Sequence, residues 1–211
     1  MNLPSFTRHD FDTFHIEGLE PRMEAIRERI QPKFKTIGDA LADQLSDLTG
    51  EEMFLHIAKH ARRKTNPPND TWLALAHNHR GYKKHPHFQV GLFDDHLFIW
   101  LAYIYELPNK KEIAQVLLEK QEQLEQLPSH FALSLDHTQK NAQKLGEMKS
   151  EDLHKSLIRF RDVKKGEFLI GQQIGKNDPL LNDGNQLLST IMQTFKKVHP
   201  FYEQTIQIPS P

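Results

Sequence analysis

TWLALAHNHRGYKKHPHFQVGLFDDHLFIWLAYIYE, residues 71 to 106, decides the fold class. Three runs within it, Thr71 to His77, Phe88 to Phe93 and His96 to Glu106, are rich in aromatic and β-branched residues, the composition of a pleated and buried surface. Asp94 and Asp95 supply a short turn between the last two runs, and the solvated tip of a hairpin is their expected place. The most apolar stretch, LFIWLAYIY from Leu97 to Tyr105, is far shorter than the roughly 20 residues a membrane helix requires. It reads as a buried strand, with no membrane role.

Helical spacing appears on both sides of this centre. Met23, Ile26, Ile30, Phe34, Ile37, Leu41, Leu45 and Leu48 recur at intervals of three and four, one stripe of a helix that Gly50 closes. Pro21 suits a first turn, whereas Pro32 removes a backbone donor and predicts a kink. After the centre, residues 110 to 127 return to helical spacing until Pro128, and Phe131 to Leu135 reads as a short strand. A polar helix is expected near His137 to Leu145, then a helix opened by Ser150, Glu151 and Asp152 and a strand from Glu167 to Ile174. A last helix runs through Leu187, Leu188, Ile191, Met192 and Phe195, with Pro200 as its expected end. Residues 1–211 therefore read as a single α+β domain, a largely antiparallel central sheet flanked by N-terminal and C-terminal helices.

Composition narrows the function classes. The 211 residues contain no cysteine, which removes disulfides, thiolate nucleophiles and cysteine-ligated metals. The opening MNLPSFTRHDFDTF lacks the basic start and apolar run of a secretory leader, so a cytoplasmic setting is expected. Net charge is only −1, yet Lys59 to His87 holds seven Lys or Arg against the single acid Asp70. One basic segment in a near-neutral chain points to a local anionic partner, either a phosphate-bearing small molecule or a nucleic acid.

Two clusters carry that charge: Lys59, Arg62, Arg63 and Lys64 before NPPND, and Arg80, Lys83 and Lys84 around Gly81. Arginine recognises phosphate through two parallel donors, lysine adds a point charge, and Tyr82 offers a ring for stacking. With His60 and His87 beside them, Lys59, Arg62, Arg63, Arg80, Tyr82, Lys83 and Lys84 are the candidate ligand-binding residues. The stiff NPPND turn, Asn66 to Asp70, connects strands and also places an Asn or Asp where a ligand can be met.

Whether the clusters meet depends on residues 53–63, which fit a helix or a strand and lean to strand. As a meander, strands 53–59, 71–77 and 88–93 put the two basic loops at opposite ends of the sheet, about 20 Å apart. A helix there, or a crossover, brings them together.

Seven of the thirteen histidines lie between His56 and His96. HIAKH lacks the glutamate of a zincin helix and no carboxylate completes a facial triad, so the pattern supports no metal; surface or hydrogen-bonded histidines are the expectation. Glycine-rich phosphate loops and nucleophile elbows are missing too, and Trp72 and Trp100 read as core. No group of residues specifies a reaction, a cofactor or an oligomeric state. Beside anion binding stand two other readings: an enzyme using His60, His77 or His87 for acid–base work in a cleft beside the sheet, and an interaction domain without chemistry.

GEEMFLHIAKHARRKTNPPNDTWLALAHNHRGYKKHPHFQVGLF (residues 50–93) resembles the YktB-like proteins, a family of uncharacterised proteins from Gram-positive bacteria. DFDTFHIEGLEPRMEAIRERIQPK (10–33) and DDHLFIWLAYIYE (94–106) are similar to the same family. The resemblance implies a small, soluble, bacterial α+β domain, and it supplies no catalytic residue.

Overall fold

Alternation of side chains along extended backbone gives the sheet two faces with different jobs. In the computed structural model, which describes residues 3–209, strands β1 (Phe54–Ile57), β2 (Thr71–Ala76), β3 (His87–Leu92) and β4 (His96–Tyr103) form an antiparallel meander. Three further strands, β5 (Ala132–Ser134), β6 (Gln143–Lys144) and β7 (Phe168–Gly175), extend it to seven in the order β1-β2-β3-β4-β7-β5-β6, with every pairing antiparallel. The α+β class and the central antiparallel sheet follow the sequence reading, and residues 54–57 settle the ambiguous segment as strand.

One face carries Leu73, Leu75, Phe88, Val90, Ile99, Leu101, Tyr103, Phe168 and Ile170, all buried in the main core. Helices cover it: α1 (Arg8–Asp12), α2 (Leu19–Ala25) and α3 (Gln31–Thr49) from the N-terminal part, then α4 (Lys110–Glu119), α5 (Gln121–Glu125), α6 (Ser150–Asp162) and α7 (Gly184–Ile206). Lys120 breaks the stretch expected as one helix over 110–127 into α4 and α5. The kink expected at Pro32 takes the form of a π-helical turn, Ile26–Ile30, which leaves the proline in the first turn of α3, where its missing donor costs little.

Pro200 does not end the last helix, which runs on to Ile206. Beyond it Phe201, Tyr202 and Thr205 are buried, Tyr202 packs on Phe88 at 4.8 Å between centroids, and the Thr205 hydroxyl meets that of Tyr103 at 3.1 Å. Burying two aromatic rings is worth roughly 1.5–3 kcal/mol each, enough to outweigh the ~3 kcal/mol that proline costs a helix interior.

The second face is aromatic and polar: Trp72, His87, Gln89, Phe98, Trp100, Ala102 and Leu169. Among the described residues no long helix covers it. Trp100 is buried there as expected, whereas Trp72 is half-buried at its margin. The polar helix expected near His137 to Leu145 does not form: Gln143–Lys144 is strand β6, and connections close the face, among them residues 136–142. That segment stays irregular because its backbone and side chains are held elsewhere: Gln173 Nε2 donates to the Lys140 carbonyl at 2.8 Å, and Lys140 pairs with Asp94. The hairpin tip at Asp94 is accordingly tethered instead of freely solvated.

Candidate functional site

A cavity of about 630 Å³ opens over the second face beside Trp72, between connections that come from both ends of the sheet. Its walls come mainly from three connections, β1–β2, β2–β3 and β5–β6. Lys59, His60, Arg62 and Arg63 follow β1, Asn69 and Asp70 precede β2, Tyr82 and Lys83 lie between β2 and β3, and His137 to Gln139 follow β5; Glu106 and Trp72 complete the lining. Four cations thus face one space with two acids.

Each wall has a local cause. Ala58 extends the β1 ladder through its N–H to the Trp72 carbonyl, and the chain then turns at His60, the one non-glycine with positive φ among the described residues, at 49°. A left-handed histidine costs roughly 1–2 kcal/mol, so the contacts around it must hold it there. Its Nε2 lies 3.2 Å from the Thr71 hydroxyl, and its ring stands edge-on to Trp72 at 5.5 Å. The Pro67–Pro68 turn is braced from beneath by the buried Arg22, whose Nη1 donates to the Pro68 carbonyl at 3.0 Å and whose Nε donates to the Ile16 carbonyl at 2.8 Å. Arg63 Nη1 donates to the Asn66 and Pro67 carbonyls, fixing the arginine on the same turn.

The meander alone would have kept Tyr82 at the far end of the sheet. Residues 78–86 instead fold back over the second face, turning at Gly81 with φ +72°, where a residue with a Cβ is strained, and forming a short 3₁₀ turn at Tyr82–Lys84. Tyr82 packs between His56 at 4.8 Å and His87 at 5.0 Å, and its hydroxyl accepts from Trp72 Nε1 at 2.9 Å. Burial pushes the Tyr82 phenol up to about 12, so it stays protonated. Lys83 then lies over the Trp72 ring at 5.2 Å. The expected 20 Å separation is bridged by the loop itself.

The candidate residues divide accordingly. Lys59, His60, Arg62, Arg63, Tyr82 and Lys83 line the cavity; Arg80, Lys84 and His87 do not. Arg80 and Lys84 are exposed on the returning loop. His87 is fully buried behind Tyr82, its Nδ1–H donating to the His85 carbonyl at 2.8 Å and its Nε2 accepting from Gln89 at 2.8 Å. Burial drives His87 down to about 3, a neutral structural imidazole unsuited to acid–base work. His77 packs against His85 away from the cavity. Of the three histidines considered for acid–base work only His60 reaches it, and burial first, then Arg63 and Lys83, lowers it to about 4.

Three further titratable residues lie on or behind the cavity wall. Asp70 is 6% exposed and no side chain hydrogen-bonds to its carboxylate among the described residues, while it remains on the cavity wall. Burial raises it to about 6, with His137, Arg63 and Lys83 offsetting part of the rise. Glu167, 2% exposed at the entrance to β7, accepts from the His137 backbone N–H at 2.7 Å and from its Nδ1 at 2.9 Å. His137 is thereby oriented with Nε2 left over for the cavity it lines. Asp136, His137 and Glu167 bring one ligating atom each within 4.8 Å of one another, yet Nδ1 is engaged by Glu167, and Asp136 Oδ1 accepts from Thr138 N at 2.9 Å and its hydroxyl at 2.6 Å. These donors are satisfied by the protein, an arrangement of hydrogen bonds more than of metal ligands.

Comparison with known proteins bears on the whole architecture. Residues 6–202 match the domain of unknown function DUF1054. The chain belongs to this family. Its YktB-like, or UPF0637, relatives include a protein of Shouchella clausii, 58% identical over 212 aligned positions that cover 100% of this chain and 99% of the relative. One of Oceanobacillus iheyensis is 58% identical over 202 positions, 95% and 96% of the two chains. Another, from Listeria welshimeri, is 48% identical over 207 positions, 98% and 100%. The resemblance seen at residues 10–33, 50–93 and 94–106 therefore extends across the UPF0637 sequence.

Proposed function

We propose that this chain binds a small phosphate-bearing molecule in the cavity between the β1–β2, β2–β3 and β5–β6 connections. The observation that carries the reading is the convergence of Lys59, Arg62 and Arg63 from the β1–β2 connection and Lys83 from the β2–β3 connection on one concave space. At about 630 Å³ it has the size of a small-ligand site, and a duplex or a long single strand would need an open groove instead. Trp72 and Tyr82 provide an aromatic wall against which a sugar or base can lie, while the cations meet the phosphate. A cytosolic metabolite fits the cytoplasmic setting expected from the sequence.

Isothermal titration with inorganic phosphate and with adenosine monophosphate tests this. Saturable binding is expected, weakened at least tenfold by Arg63→Ala or Lys83→Ala and unchanged by Arg80→Ala, which lies outside the cavity. Equal loss in all three variants, or no binding by the wild type, overturns it.

A further inference from the structure

Resting on that anion-binding reading, we propose that the cavity hydrolyses phosphodiesters, with His137 as general base and Asp70 as general acid. A site that only held phosphate would gain nothing from an acid on its wall, because a carboxylate there repels the ligand. Asp70 nevertheless faces the cavity, enclosed and without a side-chain hydrogen bond among the described residues. Burial that holds a carboxyl partly protonated, here against the opposing pull of Arg63 and Lys83, is what proton donation to a leaving oxygen needs. Its pKa, raised to about 6 by burial, keeps a useful fraction protonated near neutrality.

The second half is His137. Glu167 takes the Nδ1–H at 2.9 Å, which fixes the tautomer whose Nε2 accepts a proton, and the backbone N–H of His137 donates to the same carboxylate at 2.7 Å, so the ring cannot swing away. Glu167 is a positioning residue in this scheme. Lys83 and Arg63 face the charge of the phosphoryl oxygens.

The step balances without a metal or cofactor. His137 Nε2 takes a proton from water as its oxygen bonds to phosphorus. The bond from phosphorus to the departing alcohol oxygen breaks, and Asp70 gives that oxygen its carboxyl proton. One water is consumed, a phosphate monoester and an alcohol leave, and the proton on His137 returns through solvent to Asp70. A diester is the fitting class because its leaving alkoxide requires that proton.

The test uses two substrates, bis(p-nitrophenyl) phosphate and a 3′,5′-linked dinucleotide. Wild type is expected to cleave both, and His137→Gln to lose at least a hundredfold on both. Asp70→Asn is expected to lose at least a hundredfold on the dinucleotide and under tenfold on the nitrophenyl ester, whose leaving group departs without a proton. Glu167→Ala should lower kcat with little change in KM, and Glu167→Asp should restore part of it. Phosphate titration of His137→Gln separates the two readings. Wild-type phosphate affinity with no turnover by any variant or by the wild type overturns the hydrolase while leaving the binding site intact; absent phosphate binding by the wild type overturns both. Equal loss on the two substrates in Asp70→Asn overturns its role as acid.

Discussion

His87 shows how a single residue can look functional in sequence and be structural in fact. Both ring nitrogens are used, one donating to the His85 carbonyl and one accepting from Gln89, so an added proton would break the second bond. An imidazole that titrates near 6.5 when unfolded and is pushed to about 3 when folded leaves the unfolded chain binding more protons in between. Its contribution to stability is complete above pH 6.5 and is lost as pH falls toward 3, about 2 kcal/mol by pH 5. His60, lowered to about 4, acts in the same sense. Asp70, raised to about 6, acts oppositely, because its folded form holds a proton more tightly as pH falls from 6 toward 4. Two histidines against one acid give a net loss: the urea midpoint should drop between pH 7.5 and pH 5, and His87→Gln should flatten that drop. An unchanged slope in the variant would remove His87 as the cause. Asp70 and its partners were only partly legible beforehand. Its place in NPPND marked it as an acid that a ligand could meet, but Glu167 and His137 lie thirty residues apart, just before a strand and in an irregular segment, and only tertiary packing joins them. The one sequence signal was an acid immediately before the apolar strand FLIGQQIG, a position whose burial demands a partner.

Elements were read well where periodicity rules and poorly where long-range contacts do. The strands of residues 71–106 and the stripe of α3 were visible because burial repeats every two or every three to four residues. Pro200 misled because a local rule lost to the burial of Phe201 and Tyr202 beyond it. Pro200→Ala should therefore raise stability by about 1–2 kcal/mol, since the added N–H can join the ladder and the ring no longer crowds the preceding turn; a lower thermal midpoint would show that the proline shapes a bend the core requires. The return of residues 78–86 depends on another such position. At Gly81 a Cβ would meet nothing within 4 Å, so the penalty of Gly81→Val lies in the backbone alone, about 1–2 kcal/mol at φ +72°. That variant should loosen Tyr82 and Lys83, seen as faster hydrogen exchange over 78–86 and weaker phosphate binding, with the other strands protected as before. Uniformly faster exchange would mean that the loop and the sheet unfold together.

For the whole molecule, the two faces of the sheet divide the labour. Helices cover one with a continuous apolar core, while connections close the other and leave the cavity among them. The cavity takes its lining from connections carried on a rigid sheet, the place where binding residues usually sit. Its chemistry was half visible in composition, as a basic segment in a near-neutral chain, and the acids arrived only with the fold. Among the described residues no helix is long and apolar enough to cross a membrane, and the apolar run at residues 97–105 lies in strand β4 and the turn after it. The most direct measurement of the central claim uses Trp72, which lines the cavity with Lys83 over its ring. Titrating inorganic phosphate should change tryptophan fluorescence saturably in the wild type, with the response lost in Trp72→Phe and kept in Trp100→Phe. A flat titration in the wild type, or a response that persists in Trp72→Phe and vanishes in Trp100→Phe, would contradict it.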